Sequence, residues 1–221
     1  MASTENGSRD RILERIRSGL RTPAPEAPQA ATGSVIFAPI ENPLERFQQE
    51  CAANLVECLL SANLDESAAR LAKVLDSLPA GEIFLQDCPT LRRLAELAKP
   101  ARALRWSSEG TPHEASQATI TLAEALIAQT GSVFVTASCG GRGASVVAPC
   151  HVVFATIDQL VPDLQTALVN ASSQGKLDNN SFACVISGSS RTADIEKILV
   201  QGAHGPRWLV VILQTIGSAS A

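Results

Sequence analysis

Two runs late in the chain constrain its fold more than any other feature: His151-Val152-Val153-Phe154-Ala155-Thr156 and Trp208-Leu209-Val210-Val211-Ile212-Leu213. Both are apolar almost without interruption, whereas a strand with one face in water would alternate apolar and polar. A strand apolar on both sides has to be covered on both sides, the condition of a parallel sheet clothed by crossover helices. Shorter runs over 82–86, 103–106, 132–136 and 182–186 have the same character, and helical patterns lie between them. Strands alternating with helices predict an α/β fold, a mostly parallel sheet with helices on both faces.

The helices follow from apolar spacing and end signals. Ile12, Ile16 and Leu20 recur every four residues beside Leu13, with Arg9, Arg11, Arg15 and Arg17 on the other faces, which predicts an amphipathic helix over 8–20. An isolated helix of ~13 residues is marginal in water, so this one is expected to dock on protein. Pro23, Pro25 and Pro28 then impose a semi-extended linker. Residues 1–33 are therefore expected to be a helix and a Pro/Ala-rich tether, 34–216 the α/β domain, and 217–221 a frayed tail. Leu44, Phe47, Cys51, Leu55 and Cys58 or Leu59 share a face and predict one helix over 43–60. Asn63 and Glu66 resemble a capping pair before a helix carrying Leu71, Val74, Leu75 and Leu78. Asp87 with Pro89 opens another that runs to Pro100, and Thr121-x-x-Glu124 reads as a capping box for a short helix over 122–128. Residues 160–171, started by Pro162, and 193–200 complete the set.

Composition excludes several classes. The 18 basic and 22 acidic side chains leave a net charge of −4, and aromatics are only 4% with no tyrosine. Neither the basic face nor the stacking platforms of a nucleic-acid binder are present. No apolar run approaches the ~20 residues that span a bilayer, and the N-terminus has neither a signal peptide's apolar core nor a transit peptide's pattern. Cys51, Cys58, Cys88, Cys139, Cys150 and Cys184 include no C-x-x-C and no tight Cys/His cluster, so no zinc or iron–sulfur site is expected on this chain. Six reduced thiols in a cytoplasmic protein are the expectation.

Ligands of such sheets sit beyond the carboxyl ends of the strands, and two loops leave strands there. In the first, Ser187, Gly188, Ser189, Ser190, Arg191 and Thr192 join the strand 182–186 to the helical pattern, offering close backbone approach, hydroxyl donors and a two-pronged clamp for a carboxylate or phosphate. The competing interpretation is a plain helix start capped by Ser190 or Thr192, with Asp194 and Glu196 satisfying the dipole. The second loop places Gly140, Gly141 and Gly143 around Arg142 and matches neither the P-loop nor G-x-G-x-x-G. It reads as a lid or phosphate cradle, or as a flexible connection, and the two loops are expected to share one site. Cys139 beside Arg142 is either a reactive thiol or a buried one. His204, between Gly202 and Gly205, either meets a ligand or braces the turn. His151 reads as a satisfied strand-end residue, and His113 lies in a polar loop. No Ser/His/Asp arrangement and no paired carboxylates emerge, so no catalytic residue is assigned.

The run Ile186-Ser187-Gly188-Ser189-Ser190-Arg191-Thr192-Ala193-Asp194-Ile195-Glu196, followed by Gly202-Ala203-His204-Gly205-Pro206-Arg207, resembles the C-terminal signature of the LUD domain family. The likeness extends to Ala125-Leu126-Ile127-Ala128-Gln129-Thr130-Gly131-Ser132-Val133, to the Arg142 loop and to Pro149-Cys150-His151-Val152-Val153. It implies an α/β domain similar to the sugar-phosphate isomerase and CoA-transferase-like superfamily, and it adds Thr130 and Gly131 to the ligand-binding set. It also implies a bacterial subunit that acts with two partner proteins, one of them iron–sulfur-rich, in oxidising L-lactate to pyruvate. The clusters would then sit on the partners, and a small anion on this chain. Gln129 stands where the family has a glutamate, Ser189 where proline is common, and Val147-Ala148-Pro149 replaces Leu-Pro-Pro. The amide at Gln129 removes a candidate base or ligand contact. Two other expectations compete with the subunit: a stand-alone enzyme on a phosphorylated or CoA-linked small acid, and a small-anion sensor or scaffold.

Overall fold

A computed structural model describes residues 5–21, 38–112, 115–192, 200–202 and 205–216. The chain divides into two units, residues 1–38 and 39–221. The first holds helix α1 (Glu5–Arg21), whose apolar stripe of Ile12, Ile16 and Leu20 is exposed.

The second unit runs α2 (Pro43–Ala53), β1 (Glu57–Ser61), α3 (Leu64–Ser77), β2 (Glu82–Leu85), α4 (Pro89–Ala98), β3 (Leu104–Trp106), β4 (Ser116–Leu122), β5 (Ala125–Ile127), β6 (Ser132–Thr136) and β7 (Cys150–Thr156). It continues with β8 (Leu160–Val161), α5 (Leu164–Ser173), β9 (Ala183–Ile186), β10 (Arg191–Thr192), β11 (Val200–Gln201) and β12 (Trp208–Gln214). Six strands form an all-parallel sheet in the order β1-β12-β7-β4-β2-β3. The two apolar runs lie side by side within it, Val152 opposite Val210. Alternate side chains leave β7 and β12 on opposite faces, and each face has its own core. On one, Leu71 and Leu75 of α3 and Leu91 and Leu94 of α4 pack on Ile83, Ile120, Val152 and Ile212. On the other, Val153, Val211 and Leu213 meet Phe47 and Cys51 of α2 together with Leu126 and Val133.

Leu126 and Val133 belong to a second sheet, ordered β8-β5-β6-β9, in which β6 runs antiparallel to both β5 and β9. Its far side is covered by α5 through Ala167 and Ala171, against Ile127 and Phe134. The α/β class with a parallel sheet between helices therefore holds, and the small sheet shares the second face with α2.

Three helix expectations are corrected. The helix over 43–60 stops at Ala53. The Asn54 N–H returns to Glu50 O, Leu55 turns left-handed at φ 59°, and Val56 N–H closes on Cys51 O at 2.8 Å. Residues 57–61 then pair with β12 as an edge strand. The helix over 122–128 does not form: Thr121 lies in β4, and Glu124 sits in the turn before β5. Pro162 starts no helix either; it separates β8 from α5, which Asp163 caps by accepting the Thr166 N–H at 2.7 Å. The helix expected over 193–200 falls largely outside the described residues, and Val200 belongs to a strand.

Asn63 caps α3 as expected, its Oδ1 accepting the Glu66 N–H at 2.9 Å. The Glu66 carboxylate reaches one residue further back than a capping box would, to the Ala62 N–H. Asn63→Ala is expected to lower stability by about 1 kcal/mol, the usual worth of such a cap. A urea midpoint equal to the wild type would remove that assignment.

Candidate functional site

Strand direction decides which loops meet. Because β6 and β9 are antiparallel, Val133 lies opposite Ile186 and Thr136 opposite Ala183. Residues 187–190 therefore leave the pair at the Ser132 end, and the glycine-rich loop leaves at the Thr136 end, roughly 14 Å away at 3.4 Å per residue. The single site expected for both loops is thereby corrected to two places. At the Thr136 end, Ala137 N–H donates to Phe182 O, Ser138 N–H to Asn180 Oδ1, and the exposed Arg142 reaches Ser181 O at 3.1 Å. Gly140 packs on Phe84 and Gln86, Gly143 on Pro112 and Val147, while Gly141 faces open space.

The first loop is held by the turn that follows β11. Ser190 N–H donates to Pro206 O at 2.9 Å, Gly202 N–H donates to Ser190 O at 2.8 Å, and Gly205 packs against Ser190. Ser132 Oγ donates to Thr130 Oγ1 at 2.7 Å and lies 2.6 Å from Ser187 Oγ, which draws Thr130 to the same end. Gly188 takes φ 91°. Ser189 is buried, and its hydroxyl has no partner among the described residues. The loop opens no helix directly: Arg191–Thr192 pair antiparallel with Val200–Gln201. A helix dipole aimed at an anion from residues 190–192 is therefore not part of this site, and the Ser190 N–H is already taken. His204 and the side chains of Arg191 and Thr192 lie outside the described residues.

Gly131 serves packing. It adopts φ 59°, and a Cβ there would lie 2.6 Å from both Cys51 N and Glu50 C of α2. Gln129 is tied through its N–H to Pro162 O.

A polar constellation that the sequence reading missed sits at the Thr136 end. The Glu124 side chain is only 10% exposed. Its Oε1 accepts from Thr136 Oγ1 at 2.7 Å and Ser138 Oγ at 3.0 Å, its Oε2 accepts from Lys176 Nζ at 2.5 Å, and Cys139 Sγ lies 3.6 Å from Oε1. Burial alone would raise this carboxyl, but the hydrogen bonds from Lys176, Thr136 and Ser138 and the ammonium charge outweigh it, so the net shift is downward and Glu124 stays ionised. The residues Ala123-Glu124-Ala125-Leu126 held the signal: a carboxylate flanked by apolar neighbours has to find a partner. Cys139 goes the other way. Burial, with the Glu124 carboxylate alongside, pushes its thiol up to about 11, so the reactive-thiol alternative is set aside and the sulfur is an inert donor.

His151 is fully buried, and burial depresses it to about 4, which keeps the ring neutral. One nitrogen, Nε2, lies 2.9 Å from Thr121 Oγ1, while Nδ1 has no partner among the described residues. The expectation of a satisfied histidine is thus met at one nitrogen only. His113 is outside the described residues. All six cysteines are free thiols. Among the described residues no group of His, Cys, Asp and Glu is arranged to hold a metal ion, and no helix is long and apolar enough to cross a membrane.

Comparison with known proteins places this geometry in context. The family model for the LUD domain matches residues 44–214. Lactate utilization protein C 1 of Bacillus mycoides (strain KBAB4) is 34% identical over 90 residues, which is 39% of this chain and 38% of that protein. Lactate utilization protein C of Macrococcus caseolyticus (strain JCSC5402) is 25% identical over 172 residues, 74% of each chain. The crystal structure of a DUF162 family protein from Deinococcus radiodurans superposes with a TM-score of 0.60 at 19% identity, covering 79% of this chain and 96% of that one. At that identity the likeness speaks for the fold alone.

Proposed function

The chain belongs to the LUD domain family, and on that premise we propose that it serves L-lactate utilisation in the cytoplasm, as a subunit that binds a small carboxylate while iron–sulfur partner proteins carry the electrons. The observation that carries the lactate assignment is the family match over residues 44–214, joined to a similarity over 74% of the chain with a protein named for lactate utilisation. For the ligand, the support is local. The 187–190 loop is fixed at Ser190 by Gly202 and Pro206 and at Ser187 by Ser132, and it carries a buried hydroxyl, Ser189 Oγ, with no partner among the described residues. A buried hydroxyl left unpaired costs on the order of 1–3 kcal/mol, and a bound carboxylate oxygen would recover it. Arg191, next but one in the chain, supplies the opposing charge.

Calorimetry with L-lactate tests the ligand half. Arg191→Ala is expected to weaken binding by about 1.5–3 kcal/mol, the range for charged hydrogen bonds; equal affinity in the variant would sink the site. The subunit half is tested by affinity purification of the tagged full-length chain from its host, which should bring down cluster-bearing proteins. Growth on lactate undiminished by a clean deletion would count against it.

A further inference from the structure

Between the small sheet and α5 lies a cleft of about 200 Å³ whose polar wall includes Glu124, Asp158, Asn170 and Lys176 and whose apolar wall includes Phe134 and Ala171. It is separate from the 187–190 loop. The volume falls below the range of about 300–1,000 Å³ that holds drug-sized ligands, so an occupant has to be small.

Charge on the wall narrows the chemistry. Glu124 is largely spoken for by Thr136, Ser138 and Lys176. An ammonium has three N–H donors; Lys176 spends one on Glu124, and its side chain remains 36% exposed. The exposed Asp158 carboxylate pairs with no described residue. The cleft thus offers one cation with donors to spare and one unpaired anion, within a wall that holds two carboxylates against a single ammonium. A simple anion would meet Lys176 but face that net negative charge. A simple cation would meet Asp158 but be repelled by Lys176. A molecule carrying both charges on neighbouring atoms satisfies both.

We propose that this cleft is a second ligand site, for a small zwitterion: a short-chain α-amino acid with its carboxylate on Lys176 and its ammonium on Asp158. L-alanine and L-lactate make the decisive pair, because they differ only in an ammonium exchanged for a hydroxyl on the α carbon. A hydroxyl gives the Asp158 carboxylate a hydrogen bond from an uncharged donor in place of an ion pair, so this cleft discriminates against the hydroxy acid.

The test is calorimetry on the full chain with glycine, L-alanine, L-serine and L-valine as probes and L-lactate as competitor. At least one amino acid is expected to bind saturably, without displacement by L-lactate. Asp158→Asn, a surface change that leaves the Glu124–Lys176 pair intact, is expected to weaken that binding at least tenfold. Arg191→Ala is expected to leave it unchanged. Absence of saturable binding by all four, undiminished affinity in Asp158→Asn, or displacement by L-lactate would each overturn the proposal. Loss of L-lactate binding in Arg191→Ala reports on the other loop, so the two assignments fail separately.

Discussion

Gly131→Ala is expected to lower stability by about 3–4 kcal/mol, a large share of the roughly 5–15 kcal/mol that holds a domain together. Two costs combine. The residue sits at φ 59°, where a Cβ is strained by about 1–2 kcal/mol. That Cβ would also stand 2.6 Å from Cys51 N and Glu50 C, backbone atoms of α2 that cannot rotate aside as a side chain would. Relief requires α2 to move, and α2 carries Phe47 and Cys51 into the core between the two sheets; forced overpacking of this kind costs about 1–3 kcal/mol. Gly141 provides the control. It has a similarly positive φ of 91° with open space around it, so Gly141→Ala should show the backbone part alone. Urea denaturation of both variants checks this, and equal losses would mean that the contact with α2 contributes nothing. Any loss of ligand binding in Gly131→Ala would then follow from displacement of α2.

Glu124→Leu is expected to cost about 3 kcal/mol, and Glu124→Gln about 1 kcal/mol. Leucine takes the carboxylate from the Lys176 ammonium and the shared acceptor from the Thr136 and Ser138 hydroxyls, which keep each other at 2.6 Å, and a buried polar group that loses its partner costs on the order of 1–3 kcal/mol. The total is held down because Lys176 and Ser138 retain access to water. Glutamine keeps an acceptor for the hydroxyls and loses only the ion pair. The pH dependence separates the variants further. The folded-state carboxyl is depressed below its ordinary value, so its contribution is complete above the unfolded value of about 4.3 and is lost as pH falls through the lower folded value. The stability gap between wild type and Glu124→Gln should accordingly be widest near neutral pH and narrow in acid. A gap that stays constant from pH 7 to pH 3 would show that the ion pair adds nothing.

Local signals carried much of the fold. The paired runs of β7 and β12 were legible because nothing polar interrupts them, and the start of α3 because Asn63 sits at the N-cap with Glu66 three residues on. The merged helix over 43–60 failed for a local reason that pattern cannot resolve. Cys58 and Leu59 continue the helical period, yet the chain reverses at Leu55 in a left-handed conformation that its side chain gives no reason to expect. At Thr121-x-x-Glu124 the capping pattern was real in type and wrong in context: Thr121 meets His151, and Glu124 meets Lys176, 52 residues further on. Pairing over that separation leaves no periodic mark. The candidate site divided in the same way. That residues 187–190 and 202–206 belong together was legible through the resemblance to a family signature that contains both segments. That the Arg142 loop lies at the far end of β6 depends on β6 and β9 being antiparallel, a relation between strands that neither one encodes alone.

The placement of β12 bears on how the protein is made. Among the described residues it is the last strand, yet it lies between β1, the first, and β7, pairing with both along the sheet. Until residues 208–214 have left the ribosome, β1 has no partner strand, β7 exposes an open apolar edge, and both cores lack a row of side chains. Synthesis proceeds at roughly 5–20 residues per second, so the nascent chain holds an unfinished sheet for several seconds, until β12 emerges. Contacts of such long sequence separation are also slow to form. A polypeptide halted before Trp208 is therefore a template for edge-to-edge association.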